Sequence, residues 1–499
     1  MNIYTTIRSW TNITCAICIG LFVVTSTPAL VQAQDTLDVE QGVGTLNEAI
    51  KSDTTESGER ENPNRVYRLQ SGGIYLLNGS IENRDYHLQI VAEKGSSERP
   101  RLIPAADDEG NSSRAIRTRG DITLKGLYIT NMAENEVVNK NTIRASADGI
   151  RIWLEDCYVE HESQSIFRLD SEGMKVYVYN SIIANSGFTS DPNNGRVIDT
   201  RGNDVDSIVV ENSTMFNITS RALRPGGGLI KYAEFNHNTF VNFGQGVVHF
   251  DETLNAKFTN NMVVNSPFYG VENNEEEPTP AVRIDSTFGD EGLMTESVIV
   301  SNNNFHYDQA VLDAYPSDIQ AAPIFDEETL SFIEDNDDNE TIYSEVITFT
   351  DGPDDPSEVV QVWYNDPDGT QPEFDKEGQA DFDFSYSTSA DAYTRSVDGQ
   401  PLGDLNWFGM SPVSNEREIV TNQPDGFKLN GNYPNPFNPS TNISFNLPKG
   451  AAVSIDVFSV IGQKVLSIPA QQMSAGTDLN VRIDASSLTS GMYIYRVTA

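Results

Sequence analysis

Ser213-Thr214-Met215-Phe216-Asn217, Asn238-Thr239-Phe240-Val241-Asn242 and Asn261-Met262-Val263-Val264-Asn265 are copies of one theme, and that theme decides the fold. It recurs upstream as Leu127-Tyr128-Ile129-Thr130-Asn131, Cys157-Tyr158-Val159-Glu160-His161 and Ser181-Ile182-Ile183-Ala184-Asn185. The final positions of successive copies lie 30, 24, 32, 25 and 23 residues apart, and five of the six are Asn. Such a period, with loops of variable length, is that of a solenoid coil, which buries its apolar side only against neighbouring coils. A second column lies five residues earlier: Gly126, Asp156, Asn180, Asn212, His237, Asn260 and, one coil on, Asn302. Asn tolerates left-handed backbone angles, and its amide can bond the amides above and below, so both columns read as turn ladders. Between them, stretches such as Val176-Tyr177-Val178 and Ile208-Val209-Val210 alternate as strands with one face inward. The expectation is an all-β chain built on a right-handed parallel β-helix over residues 34–307.

Upstream of the repeats, Gly44-Thr45-Leu46-Asn47-Glu48-Ala49-Ile50 reads as a short helix capping the open end of the stack. Arg65-Val66-Tyr67-Arg68-Leu69 and Tyr75-Leu76-Leu77 read as first, irregular coils. The whole pattern resembles the pectate-lyase-like family of parallel β-helix proteins, which includes polysaccharide lyases and glycoside hydrolases. The resemblance covers about residues 35 to 310 and rests on architecture.

A third set of aligned strands carries the functional information. They are Ile116-Arg117-Thr118-Arg119, Ile143-Arg144-Ala145-Ser146, Phe167-Arg168-Leu169-Asp170, Ile198-Asp199-Thr200-Arg201, Leu223-Arg224-Pro225-Gly226, Val248-His249-Phe250-Asp251 and Val282-Arg283-Ile284-Asp285. If the first residue of each faces the core, the second faces solvent. That aligns Arg117, Arg144, Arg168, Asp199, Arg224, His249 and Arg283 in one file, with Arg119, Ser146, Asp170, Arg201, Gly226, Asp251 and Asp285 beside it. Coils stack about 4.8 Å apart, so adjacent like charges cost on the order of 1 kcal/mol in water. Two readings are open. In one, Asp170, Asp199 and Asp251 neutralise their neighbours in an exposed ion-pair lattice. In the other, the file is a groove for an acidic or sulfated polysaccharide, whose carboxylates or sulfates the guanidinium forks bind bidentately.

In related β-helix lyases the substrate lies along such a face. β-Elimination needs neutralisation of the uronate carboxylate, a base for the α-proton and an acid for the leaving oxygen. The resemblance implies that Arg201, Arg224 and His249 at the centre of the file would be catalytic. Arg117, Arg119, Arg144, Arg168, Arg221, Lys231 and Arg283 would then bind substrate, and Asp170, Asp199 and Asp251 could hold a calcium ion. The paired aspartates of β-helix glycoside hydrolases and the sequence signatures of the lyases are not found. Gly226-Gly227-Gly228 is not a phosphate loop, because no Lys-Ser/Thr follows it on a helix.

The formal net charge of -40, with 33 Lys and Arg against 73 Asp and Glu, excludes general binding to nucleic acid or anionic lipid. Residues 1–33 read as a signal peptide: Arg8 supplies the positive region, Cys15 to Val24 the apolar stretch and Val31-Gln32-Ala33 the cleavage site. An uncleaved anchor is the alternative, but the stretch falls short of the roughly 20 residues that span a bilayer. Cleavage removes Cys15 and Cys18, leaving Cys157 as a single buried thiol with no disulfide partner.

Residues 308–426 form an acidic region in which the repeat stops and clusters such as Gly352-Pro353-Asp354-Asp355-Pro356 mark turns. The run Glu334-Asp335-Asn336-Asp337-Asp338 reads as a solvated loop. Val359-Val360-Gln361-Val362-Trp363-Tyr364 and Phe382-Asp383-Phe384-Ser385-Tyr386 read as strands, and Leu405-Asn406-Trp407-Phe408-Gly409 as a segment docked on the end of the β-helix. The chain ends, over 427–499, in short alternating strands opened by Asn432-Tyr433-Pro434-Asn435-Pro436-Phe437-Asn438-Pro439 and closed by Gly491-Met492-Tyr493-Ile494-Tyr495-Arg496-Val497. Val453 to Phe458 and Ile461 to Val465 form a hairpin in this reading. The tail resembles the C-terminal sorting domain of the type IX secretion system, a small β-sandwich. That resemblance implies the secretion machinery as a partner, and passage through the periplasm to the outer surface or the medium. Two functions follow: a polysaccharide lyase using the arginine-lined face, or a non-catalytic glycan-binding or adhesion protein using the same face.

Overall fold

The computed structural model of the chain describes residues 3–8, 35–55, 60–62, 65–95, 98–273, 275, 279–284, 287–288, 293–294, 297–334, 342–367, 369–374, 381–412, 428–433, 440–447, 451–459, 464–473, 476–484 and 492–498. The apolar stretch and cleavage site near the N-terminus, residues 335–338 of the acidic run, and Pro434 to Pro439 lie outside these residues. Contacts divide the chain into two units, residues 31–413 and residues 1–30 with 414–499.

The first unit is a right-handed parallel β-helix with three sheets. Sheet 1 has ten strands from Thr36–Val39 to Ser297–Ser301, sheet 2 has eleven from Gly42–Val43 to Ile342–Tyr343, and sheet 3 has eight from Ile81–Arg84 to Val282–Arg283. Each central coil gives one strand to each sheet, pairing parallel with the coils on either side, while the first and last coils give none to sheet 3. Inward residues meet in one core, where Ile116, Ile143, Phe167, Ile198 and Leu223 of sheet 3 pack with Ile152, Val176 and Ile208 of sheet 1 and Val159, Met215 and Phe240 of sheet 2. The strands Val66–Leu69 and Ile74–Leu77, expected to be irregular, pair in regular register with both neighbours.

Both turn columns adopt the left-handed conformation: φ runs from 49° to 59° over Asp156, Asn180, Asn212, His237, Asn260 and Asn302, and from 50° to 58° over His161, Asn185, Asn217, Asn242 and Asn265. The amides bond between coils: Asn217 Nδ2 donates to Asn185 Oδ1 at 3.1 Å and Asn242 Nδ2 to Asn217 Oδ1 at 3.0 Å. A further, fully buried ladder joins Asn238, Asn261 and Asn303 at 3.2 and 3.0 Å. It satisfies polar atoms inside the corner of the coil, and the sequence reading missed it because these positions open the theme rather than close it.

The helix Thr45–Ser52 covers the first coils with Leu46 and Ile50, while Phe325 and Ile333 join the core near the last coils. Outward residues from two rows of sheet 2 (Tyr128 and Tyr158; Phe216, Val241 and Val264) share one apolar cluster with Ile347, Phe384, Tyr386 and Leu402 from the acidic region. Two expectations need correction here. Residues Ser357–Asn365 form a helix rather than a strand: Pro356 precedes its first turn, and Val359 and Val360 at its buried side pack with Phe268 and Tyr269. Leu405–Phe408 is a 3₁₀ turn on the flank of sheet 2, not on the end of the β-helix. Asp404 accepts from Thr214 Oγ1 at 2.8 Å, Leu405 N donates to Asn212 Oδ1 at 2.8 Å, and Trp407 Nε1 donates to Thr214 Oγ1 at 2.7 Å.

The second unit holds two antiparallel sheets. One pairs Lys428–Tyr433, Ser440–Leu447 and Gly476–Asp484, and the other Ile3–Arg8, Met492–Thr498, Ala451–Ser459 and Lys464–Met473. Ile443, Phe445 and Ile483 from the first share one apolar cluster with Val457, Tyr495 and Val497 from the second.

Candidate functional site

Sheet 3 owes its register to alternation. Ile143 pairs with Ile116 and Phe167, so Arg144 falls opposite Arg117 and Arg168. Arg168 then pairs with Asp199, Asp199 with Arg224, and His249 with Arg283, while Glu82 stands opposite Arg117 at the start of the sheet. The file is therefore continuous in the backbone.

Its carboxylates are shared unevenly. Arg144 Nε and Arg168 Nε both donate to Asp170, at 2.5 and 2.8 Å. Asp199 is approached by Arg196 and Arg224 at 3.3 Å and by Arg201 at 3.9 Å. Asp251 is held by Arg283 through Nε and Nη2, which donate to its two oxygens. Among the described residues, Arg114, Arg117, Arg119 and Arg221 have no carboxylate within ion-pair distance. Arg114 donates to Asn141 Oδ1 at 2.9 Å instead, and Arg117 Nε is buried without a hydrogen-bond partner. Burial lowers the pKa of Arg114, and Arg144, Arg117 and Arg168 lower it further. Arg114, Arg117 and Lys140 line a groove of about 600 Å³ with Ser112, Asn139 and Glu82.

The centre of the file differs from expectation. Arg201 and Arg224 reach solvent, with side chains 40% and 37% exposed. Asp199 and His249 do not: they are 1% and 0% exposed. Nδ1 of His249 lies 3.0 Å from Arg221 Nη1 and Nε2 lies 3.3 Å from Pro280 O, so the ring accepts from the arginine and donates to the carbonyl. Burial, then the charges of Arg221 and Arg283, hold its pKa well below the usual value. Gly246 and Pro280 close over it, where a Cβ on Gly246 would come within 2.8 Å of Nε2. A neutral, enclosed imidazole of this kind positions Arg221 and does not meet a substrate. Arg221 itself is half-buried and also donates to Gln245 Oε1 at 3.0 Å, and its pKa is brought down to about 10 by desolvation and then by Arg283.

Lys231 lies on sheet 1, with Nζ 2.5 Å from Asp206, and is not a member of the file. Asp170, Asp199 and Asp251 belong to different coils and are each engaged by arginine. Among the described residues no group of three His, Cys, Asp or Glu side chains could hold a metal ion, so the calcium expectation loses its ligands. Asp285 lies outside the described residues. Gly226 and Gly228 stack on the coil below, and a Cβ at Gly228 would sit 2.4 Å from Asn203 O, so close backbone approach demands glycine there.

The sequence reading missed Arg114 and Arg196. The signal was available: two residues before each inward residue the sequence gives Arg114, Asn141, Ser165, Arg196 and Arg221, and Asn141 pairs with Ser165 and Ser165 with Arg196.

Residues 432–499 match the secretion system C-terminal sorting domain family. The chain thus carries an export signal that directs it to the cell surface or beyond. No helix among the described residues is long and apolar enough to cross a membrane. Among solved structures, the chain is similar to a PL6 family alginate lyase, AlyGC, at 17% identity and a TM-score of 0.30, over 55% of this chain and 36% of that one. It therefore spans about a third of that structure's length. No curated protein matches the sequence.

Proposed function

We propose that this exported β-helix binds an anionic polysaccharide along the outer face of sheet 3. The observation that carries the reading is the cluster of Arg114 and Arg117 in one groove and Arg119 in the adjoining one, none with a carboxylate partner among the described residues, in a chain of net charge -40. A lattice built only for stability would pair such groups, since unpaired like charges on adjacent coils cost energy and gain nothing. A polymer with one acidic group per sugar supplies the missing anions, and guanidinium forks suit carboxylates and sulfate esters alike.

A second reading, β-elimination, is favoured by one feature: Arg201 and Arg224 are both exposed beside the buried Asp199. Arg201 and Arg224 would together neutralise the uronate carboxylate, the first of the three requirements of β-elimination. His249 has no role in this chemistry, being enclosed. Incubation of the full chain with pectate, alginate and sulfated algal glycans tests both readings. Retention of one glycan in a salt-sensitive manner supports binding, and growth of unsaturated-product absorbance, lost in Arg224→Ala, supports elimination. Absence of retention for every anionic glycan would refute the proposal.

A further inference from the structure

Sheet 3 begins later than its neighbours. Sheets 1 and 2 start at Thr36–Val39 and Gly42–Val43, but the first strand of sheet 3 is Ile81–Arg84. The space beside that strand is taken by the helix Thr45–Ser52, whose Asn47 Nδ2 donates to Gly79 O at 3.0 Å. Between helix and strand lies a groove of about 640 Å³, lined among others by Lys51, Glu82, Arg84, Tyr86 and Arg119. Ser80 and Glu82 line both this groove and the basic one at Arg114, Arg117 and Lys140, so the two adjoin. The arginine file thus runs down the solenoid into a trough whose far wall is a helix.

We propose that the polysaccharide is bound by its end, with the terminal acidic sugar in the trough beside the helix and the polymer running from there along the file. This rests on the reading of sheet 3 as an anionic-glycan face. Three features fit a terminal residue. The helix Thr45–Ser52 stands where a further strand of sheet 3 would lie, so the file has no strand beyond Ile81–Arg84. Arg84 and Arg119, adjacent in register, present two cations to one acidic sugar. Glu82, exposed between the two grooves, supplies an acceptor for the hydroxyl that only a terminal sugar leaves unlinked.

The test titrates the full chain with length-sorted fragments of whichever anionic glycan it retains, from hexamers to long polymer, and measures protein bound per glycan chain by light scattering. End binding predicts a fixed ratio at all lengths, and a loss of hexamer affinity of at least about 100-fold for the double variant Arg84→Ala, Arg119→Ala, the scale of two lost charge-assisted contacts. A circular dichroism melt checks that the variant is folded; should it fail to fold, the length series alone decides. A ratio that grows with polymer length overturns end binding while leaving the glycan-face reading intact. Failure to bind fragments of any length overturns that reading as well.

Discussion

Replacing Arg117 by Ala separates the two explanations of the arginine file. The side chain has no carboxylate within ion-pair distance among the described residues, its Nε has no hydrogen-bond partner, and it stands in register between Glu82 and Arg144. Two unit charges at the coil spacing of about 4.8 Å repel by about 1 kcal/mol in water and more where solvent is partly excluded. Attraction to Glu82 on the other side, at the same coil spacing, offsets that repulsion, so loss of Arg117 leaves folding stability within about 1 kcal/mol of the wild type, the aliphatic stem's packing included. Binding changes more. A charge-assisted contact to carboxylate or sulfate is worth about 1.5–3 kcal/mol, so affinity for the polyanion falls roughly 10- to 100-fold, with a shallower dependence on salt as one counterion-releasing contact is lost. The assays are urea denaturation followed by fluorescence, and calorimetric titration at several ionic strengths. A variant that loses more than about 1 kcal/mol of stability while binding unchanged would show that Arg117 is a structural strut and refute the reasoning.

Other outcomes follow from the same structure. Asp404 is buried against Thr214 and its pKa is raised to about 7, chiefly by burial; a raised folded-state value means stability present at low pH and lost as pH climbs from the unfolded value toward 7. The stability of wild type relative to Asp404→Asn should therefore decline between about pH 4 and 7 and level off above, as thermal melts across that range would record. Asn242 sits at φ 58° and bonds Asn217 and Asn265, so Asn242→Ala should cost about 2–4 kcal/mol through left-handed strain plus unmet amides, and Asn242→Gly about 1 kcal/mol less; equal losses would mean that the backbone conformation is unimportant. Deleting residues 432–499 should leave the protein in the periplasm, as fractionation and immunoblotting would show.

The fold was legible because a parallel solenoid writes its geometry into the sequence. Inward Ile116, Ile143, Phe167, Ile198 and Leu223 recur once per coil, and the left-handed turns select Asn at both corners, so coil length, register and ladder positions can be aligned by eye. The file on sheet 3 follows from the same register. What strand alternation cannot report is what lies over a strand. Asp199 and His249 occupy outward positions, yet neighbouring arginines and the loop residues Gly246 and Pro280 enclose them. Lys231 was grouped with the file for its nearness in sequence, but the turn at Gly226 to Gly228 leads straight into the sheet 1 strand Ile230–Asn236. The helix Ser357–Asn365 was read as a strand because a short apolar run fits either period, and only its packing against Phe268 and Tyr269 decides between them.

Hydrogen exchange with and without bound glycan tests the central claim most directly. Protection should concentrate in Ile116–Arg119, Asn141–Ala145 and Ser165–Leu169 and their flanking loops on sheet 3. Protection confined to sheet 1, around Arg151–Glu155 and Met174–Tyr179, would contradict it.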